Sequence, residues 1–556
     1  MQKNFDELRK KISGEISVQE ADITKYSYDY SIFSVKPQAV VFPKDTGDVE
    51  QLVNWAVKEN KRKNNISLTA RAAGTDMSGG VLNDGIIVSF TPRPQGNSPQ
   101  TQYLNRIKEI GNDYAIVEPG VYFRDLEKKL DERGLMFPPF PASKDLCAIG
   151  GMIANNAGGE KSLIYGKVDK YVKSLKMAWS DGEIHEIRPL SAAELKKKIK
   201  GSDFESGVYR KMYNLVEKNY DAIKKAKPDV SKNSAGYALW DVWDRKTFDL
   251  TKLICGSQGT LGLVTEAKLR LVKKKKFSGL VVVFAKTLEP VPEIVEAILQ
   301  FEPESIESYD DRTLGIAMKG LPSIIKLMKG SALTLALKFV PEFLMLLKGG
   351  LPKMIMLVEL SSDDEKELAR KIEFVRRAAM KFPVQVRAVK DKTEEEKYWT
   401  IRRKSFALLH DYKPGFRAEP FVDDIIVKPE YMPEVLPKIN EILKEHEDKM
   451  IYTIAGHPGN GNFHIIPLVN LKDPASRKII EDSMDKIYKL VLQYKGSITA
   501  EHSDGLIRSP YLKMMYGEKI YGLFEETKKI FDPLGIFNPR KKVGADKAYS
   551  FSFIKK

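Results

Sequence analysis

Residues 141–159, PASKDLCAIGGMIANNAGG, constrain the fold more than any other stretch. A run this rich in Gly, Ala and Asn does not form a regular strand, and it is too apolar for a solvent loop. It suits backbone wrapped closely around a large flat ligand. Two further stretches share its texture. RAAGTDMSGG (71–80) lies between the strand-like runs ISLTAR (66–71) and IIVSF (86–90). Its glycines and alanines let the backbone approach a ligand, successive N–H groups form a concave anion site, and Thr75 and Ser78 add hydroxyl donors. CGSQGTLGLVTE (255–266) runs into the strand-like AKLRLV. One such loop is an ordinary glycine-rich turn; three in order point to a nucleotide-like ligand. Neither GxxxxGK[ST] nor a GxGxxG opening a helix is present, so the other common phosphate-binding motifs do not apply.

At 556 residues the chain is too long for one core. We read an α+β architecture in four parts: a helical extension at 1–34, a first domain at 35–275, a second at 276–450, and a C-terminal segment at 451–556 that packs back on the first. Between 38 and 275 short β-branched runs alternate with helical patterns, such as AVVFP followed by a helix over 45–61. From about 277 the texture changes to an antiparallel sheet with helices on one face.

The net charge of +15 invites a nucleic-acid reading, but the lysines are scattered among acidic residues and no nucleic-acid-binding motif accompanies them. A basic surface that attracts anionic substrates or anionic lipid fits better. The N-terminus has no signal-peptide core, and no window reaches the roughly 18 apolar residues of a membrane span. The nearest stretch, 331–360, is interrupted by Lys338, Glu342, Lys348 and Lys353. It reads as core-facing helices, with a cationic apolar surface resting on the inner face of a membrane as the alternative. The protein is therefore expected to be cytoplasmic or peripheral. The two cysteines, Cys147 and Cys255, are too few and too far apart to ligate an iron–sulfur cluster.

Six histidines occur, and three fall in two glycine-rich stretches, GHPGNGNFH (456–464) and EHSDG (501–505). A lone histidine is usually structural. Three clustered in such turns, one beside a glutamate, favour chemistry. Two imidazoles and a carboxylate, with positions left for water or substrate, are how a catalytic Zn or Mn ion is held. The 458–462 turn can fold back so that both its flanking rings face one point.

The three glycine-rich stretches together resemble the FAD-binding domain of the vanillyl-alcohol oxidase superfamily, the p-cresol methylhydroxylase type. The resemblance implies that Arg71, Ala72, Ala73, Gly74, Thr75, Ser78 and Gly79 hold the FAD pyrophosphate. It implies that Pro141, Ser143, Gly150, Gly151, Ala154, Asn155, Gly158 and Val264 line the flavin and adenine. Members that tether FAD often use a His where this chain has Thr75, so the FAD is expected to be non-covalent, with Cys147 a small buried thiol. The closing DPLGIFNPRK resembles DPxxxxNPGK, whose Asn, here Asn538, reaches the flavin; Arg540 replaces the usual Gly and puts close backbone approach there in doubt.

GHxGxGNxH followed by EH resembles the D-lactate dehydrogenase, D-2-hydroxyglutarate dehydrogenase and glycolate oxidase branch. That implies His457, His464 and Glu501 as ligands of a divalent metal, Zn or Mn, and His502 as the base. Ser503 stands where many relatives have Gly. WTIR (399–402) resembles the branch's W-x-I-R, implying that Arg402 holds a substrate carboxylate. Arg417 falls where relatives carry a second cation. For either arginine a surface salt bridge is the plainer alternative. Ile466 replaces a polar Asn of the hydroxyglutarate-type relatives, implying a small monocarboxylate such as D-lactate. The resemblance covers nearly the whole chain and is weakest over 277–395. The implied activity is oxidation of a small D-2-hydroxy acid, with a quinone or a separate electron-transfer or iron–sulfur protein as acceptor. An ether-lipid-forming flavoenzyme of the alkylglycerone-phosphate synthase type and a non-catalytic flavoprotein subunit are the alternatives.

Overall fold

The computed structural model describes residues 5–92, 103–319, 351–410 and 415–555. The first lobe opens on a four-stranded sheet. Ala39–Phe42, Ile86–Ser89 and Leu68–Arg71 run parallel in that order, and Glu15–Ser17 pairs antiparallel with Ala39–Phe42. Helix Thr46–Lys61 makes the crossover. Asp45 caps it by accepting from the Asp48 N–H, and it buries Val49, Leu52, Val53, Trp55 and Ala56 on the sheet side. The RAAGT loop leaves the carboxyl end of Leu68–Arg71, the end at which open α/β sheets bind ligands. A second, five-stranded antiparallel sheet follows, ordered Ile107–Ile110, Tyr114–Val117, Leu263–Arg270, Val172–Ala178 and Ile184–Ile187.

The other lobe is built on an eight-stranded antiparallel sheet among the described residues. Its path is Val384–Ala388, Phe277–Ala285, Met354–Ser362, Ser305–Asp310, Met450–His457, Asn462–Val469 and Arg417–Ala418, with Ile425–Ile426 also pairing with Asn462–Val469. Phe277–Ala285 shows why the expected one-sided packing fails. Val281 and Val283 join Ile294, Val295 and Val375 on one face, while Leu280, Val282 and Phe284 join Tyr398, Trp399 and Ile401 on the other. An uninterrupted apolar run is the pattern of a strand covered on both faces.

Two expected boundaries cut through folded units. Glu15–Ser17 is a strand of the first sheet, so 1–34 is not a separate helical extension. Met450–His457 and Asn462–Val469 continue the large sheet, so the segment after 450 begins as part of the second lobe. Only its later portion returns: the Leu68 N–H donates to the Ile536 carbonyl and the Asn538 N–H to the Leu68 carbonyl. Of the 331–360 stretch, 331–350 lies outside the described residues, and the strand-like IMLVEL run (355–360) falls within the largely buried strand Met354–Ser362. Among the described residues no helix is long and apolar enough to cross a membrane.

Candidate active site and cofactor cleft

A cleft opens between the three glycine-rich stretches, the kind of concave, mostly apolar surface that holds small-molecule ligands. Ala72, Ala73, Gly74 and Thr75 line one wall, Gly150, Gly151, Ala154 and Asn155 another, and Gly259, Gly262 and Val264 a third. Gly74 has φ 73°, and a Cβ there would meet the Arg71 guanidinium, so the turn favours glycine at this position. The walls are small side chains and backbone, the surroundings a large planar cofactor needs.

Asp76 decides which backbone donors face this cleft. Its carboxylate accepts from the N–H groups of Ser78 and Gly80, from the Ser78 hydroxyl and from Asn155 Nδ2. Ser78 and Gly79 therefore shape the turn from behind and do not line the cleft. Arg71 also turns away, donating to the carbonyls of Tyr26 and Tyr28 and packing over the Tyr26 ring. Asn538 Nδ2 donates to the carbonyls of Gly80 and Gln258, tying two cleft loops together. Pro141 and Ser143 are half-buried and lie outside the lining. Gly158 belongs to the neighbouring histidine site, since a Cβ there would lie 2.9 Å from Glu501 Oε1.

That site is built on the 450–469 hairpin. Pairing of His457 with Asn462 and of Ala455 with His464 puts both histidines on one face, and Gly461, at φ 71°, closes the turn. His457 Nε2 lies 3.2 Å from His464 Nε2 and 3.6 Å from Glu501 Oε1. Atoms about 2.1 Å from a common ion in a tetrahedron stand about 3.4 Å apart, so the spacing fits a divalent metal.

Each imidazole is held from behind by a carboxylate. His457 Nδ1 donates to Glu307 Oε1 at 2.5 Å, His464 Nδ1 to Asp423 Oδ1 at 3.1 Å, and His502 Nδ1 to Asp423 Oδ2 at 2.6 Å. A carboxylate only accepts, so each Nδ1 carries the proton and Nε2 faces the site; this is the support that orients metal-binding histidines. Asp424 serves as a strut. Its oxygens accept from Thr499 Oγ1, the N–H groups of Glu501 and His502, and Asn462 Nδ2. Arg508, fully buried, donates to the carbonyls of Asp423 and Ser503.

The electrostatics follow from these pairs. Burial opposes the charge on His502, but Asp423 and Asp424 override it and lift its pKa to about 9. His464 is pushed down by burial and by its two histidine neighbours despite Asp423. Burial would raise Glu307 and Glu501, yet His457 and Arg402 hold Glu307 at about 2, and Lys232 with His457 holds Glu501 well below the carboxylate range.

Arg402, on helix Lys392–His410, is buried and 2.9 Å from Glu307 Oε2, which connects it through that carboxylate to His457. Arg417 is not brought to the site. It is exposed and pairs with Val469, five residues along the strand from His464, about 17 Å at the usual rise. The two departures from the glycine pattern keep the glycine conformation. Ser503 and Arg540 both have φ 63°, which costs a residue with a Cβ about 1–2 kcal/mol. The Ser503 hydroxyl offsets this by accepting from Lys542 Nζ, and the exposed Arg540 stacks on Tyr549.

Glu307, Asp423 and Lys232 were not singled out from the sequence. The adjacent acids of FVDDIIV carried a usable signal, since carboxylates inside an apolar run must be paired. Glu307 and Lys232 carried none.

Residues 37–188 match the FAD binding domain family, and residues 279–542 match the family of FAD linked oxidases, C-terminal domain. The chain is 28% identical over 550 residues to D-2-hydroxyglutarate dehydrogenase of Pantoea ananatis (strain AJ13355), covering 95% of this chain and 50% of that protein. It is 26% identical over 526 residues to D-lactate dehydrogenase of Archaeoglobus fulgidus, covering 93% and 95%. The chain spans about half the length of the curated D-2-hydroxyglutarate dehydrogenases that head its matches. Alkyldihydroxyacetonephosphate synthase is similar in fold, with a TM-score of 0.67 at 15% identity over 97% of this chain and 86% of that one.

Proposed function

We propose that the chain, whose segments match the FAD binding domain and the C-terminal domain of FAD linked oxidases, is an FAD-dependent dehydrogenase of small D-2-hydroxy acids, with D-lactate the best candidate. The observation that carries the reading is that His457 Nε2 lies 3.2 Å from His464 Nε2 and 3.6 Å from Glu501 Oε1, with His502 stacked on His464. In this reading His457, His464 and Glu501 hold Zn or Mn, and the cleft-lining residues named above hold FAD without a covalent bond.

Held by His457, His464 and Glu501, a metal would acidify a coordinated hydroxyl, and FAD in the cleft would supply the hydride acceptor. The remaining work falls to the chain. His502 Nε2 takes the hydroxyl proton while Asp423 steadies the resulting imidazolium. Arg402, kept in place by Glu307, binds the substrate carboxylate. Ile466 lies on the His464 face of the hairpin and packs with Ile316 and Ala418, which favours a small apolar substituent over a second carboxylate. The electron acceptor in this reading is a quinone or a separate electron-transfer or iron–sulfur protein.

Anaerobic bleaching of the flavin by a panel of D- and L-2-hydroxy acids, with and without a chelator, tests the proposal. Bleaching by D-lactate that the chelator abolishes is expected. No bleaching by any hydroxy acid would favour the non-redox reading that the alkyldihydroxyacetonephosphate synthase likeness keeps open.

A further inference from the structure

Lys232 is the least expected member of this site. It comes from the loop that follows helix Tyr220–Lys225, between the two family-matched segments, and it is 3% exposed. Its Nζ donates to Glu501 Oε1, the same oxygen that faces His457 Nε2, and lies 3.5 Å from Asn462 Oδ1. Three attachments keep the loop in place. Ser231 Oγ donates to the Asn460 carbonyl, the Ser234 N–H to the Thr499 carbonyl, and the Gly236 N–H to Asp504 Oδ2. The ammonium is therefore delivered to the carboxylate by a fixed backbone rather than by a wandering surface side chain.

We propose that Lys232 is the site's own cation: it holds Glu501 in its ligand position when no metal is bound, and competes with an incoming divalent ion for that oxygen. The inference rests on the reading of His457, His464 and Glu501 as metal ligands. A carboxylate buried to this depth needs a positive partner, and removing one member of a buried pair leaves the other uncompensated. Either the metal or the ammonium satisfies Glu501. An ion bound at full strength must share the oxygen or push the ammonium toward Asn462, and two cations so close repel. The ammonium thus keeps the ligand oxygen in place and lowers its affinity for an incoming ion.

The test uses the FAD-loaded protein, stripped with chelator, as wild type, Lys232→Met, Lys232→Arg and the double variant Lys232→Met/Glu501→Gln. Melting temperature is followed with and without Mn²⁺, and Mn²⁺ binding by the electron-spin resonance of the free ion. Stripped Lys232→Met should melt about 4 °C or more below stripped wild type, because buried Glu501 loses its ammonium partner and keeps only the more distant His457. Mn²⁺ should restore it, with a Kd about tenfold or more tighter than wild type. The double variant should recover the melting temperature without Mn²⁺, and Lys232→Arg should keep both the stability and the weak binding of wild type.

Equal melting and equal Mn²⁺ affinity for wild type and Lys232→Met would overturn the role of Lys232 and leave the metal reading intact. Failure of every form to bind Mn²⁺, Zn²⁺ included, would overturn the metal reading and the competition with it. Low stability of Lys232→Met that the double variant does not repair would also count against the proposal, as a packing defect rather than a charge defect.

Discussion

The imidazole rings of His464 and His502 stack with centroids 5.0 Å apart and planes 18° from parallel. Both donate Nδ1–H to the two oxygens of one carboxylate, Asp423, which is 1% exposed. Two protonated rings at this distance repel, so one proton is favoured and a second is not. The surroundings decide its owner: His464 is pushed down and His502 up. Asp423 raises both rings, and it is burial and the neighbouring imidazoles that push His464 down while Asp424 adds to the rise of His502.

Asp423→Asn should be the most informative single change. It removes the charge that orients both rings while keeping the shape. Loss of such a support typically costs about 10–100-fold in metal affinity or activity, so turnover should fall within that range with flavin content unchanged. Unaltered turnover and metal content would remove Asp423 from the mechanism.

His502→Ala should bind FAD as wild type does and lose about 10²–10⁴ in turnover, the usual worth of a placed general base. Rapid-mixing measurement of flavin reduction is the check, since it isolates the hydride step from reoxidation. Reduction at the wild-type rate would place the base elsewhere.

FAD should leave intact when the protein is precipitated with acid. Thr75 occupies the loop position where a tethering residue would sit, and Cys147 is buried with its thiol pushed up to about 12 by burial, so it is not a nucleophile at neutral pH. Yellow colour that remains with the pellet is the contrary result.

His185 offers a pH test remote from the site. Burial opposes its charge, but Asp181 at 2.8 Å and Glu205 at 3.5 Å lift it to about 9. A raised folded-state pKa stabilises fully below the unfolded value of about 6.5 and is lost as the pH rises through 9. The difference in melting temperature between wild type and His185→Gln should therefore be largest near pH 6 and shrink by pH 9.5. A difference that does not change with pH would mean that His185 acts only through its stacking on Trp179.

What the sequence determined by itself is local. The glycine and alanine loops announce close backbone approach because no side chain intervenes, and Ala72 to Thr75, Gly150, Gly151 and Val264 do line the cleft. The 458–462 turn is legible in part, since its glycines let the chain fold back and bring His457 and His464 together, while the register that puts them on one face comes from the strand pairing. The tertiary structure alone decided the partners. Lys232 reaches Glu501 across 269 positions, Glu307 reaches His457 across 150, and Asp423 reaches His502 across 79. It also withdrew Arg71 and Ser78 from the cleft and Arg417 from the site. Periodicity and turn chemistry act over a few residues. The partner of a buried charge is set by which strands and loops pack together, and a single lysine or glutamate in its own segment carries no mark of that.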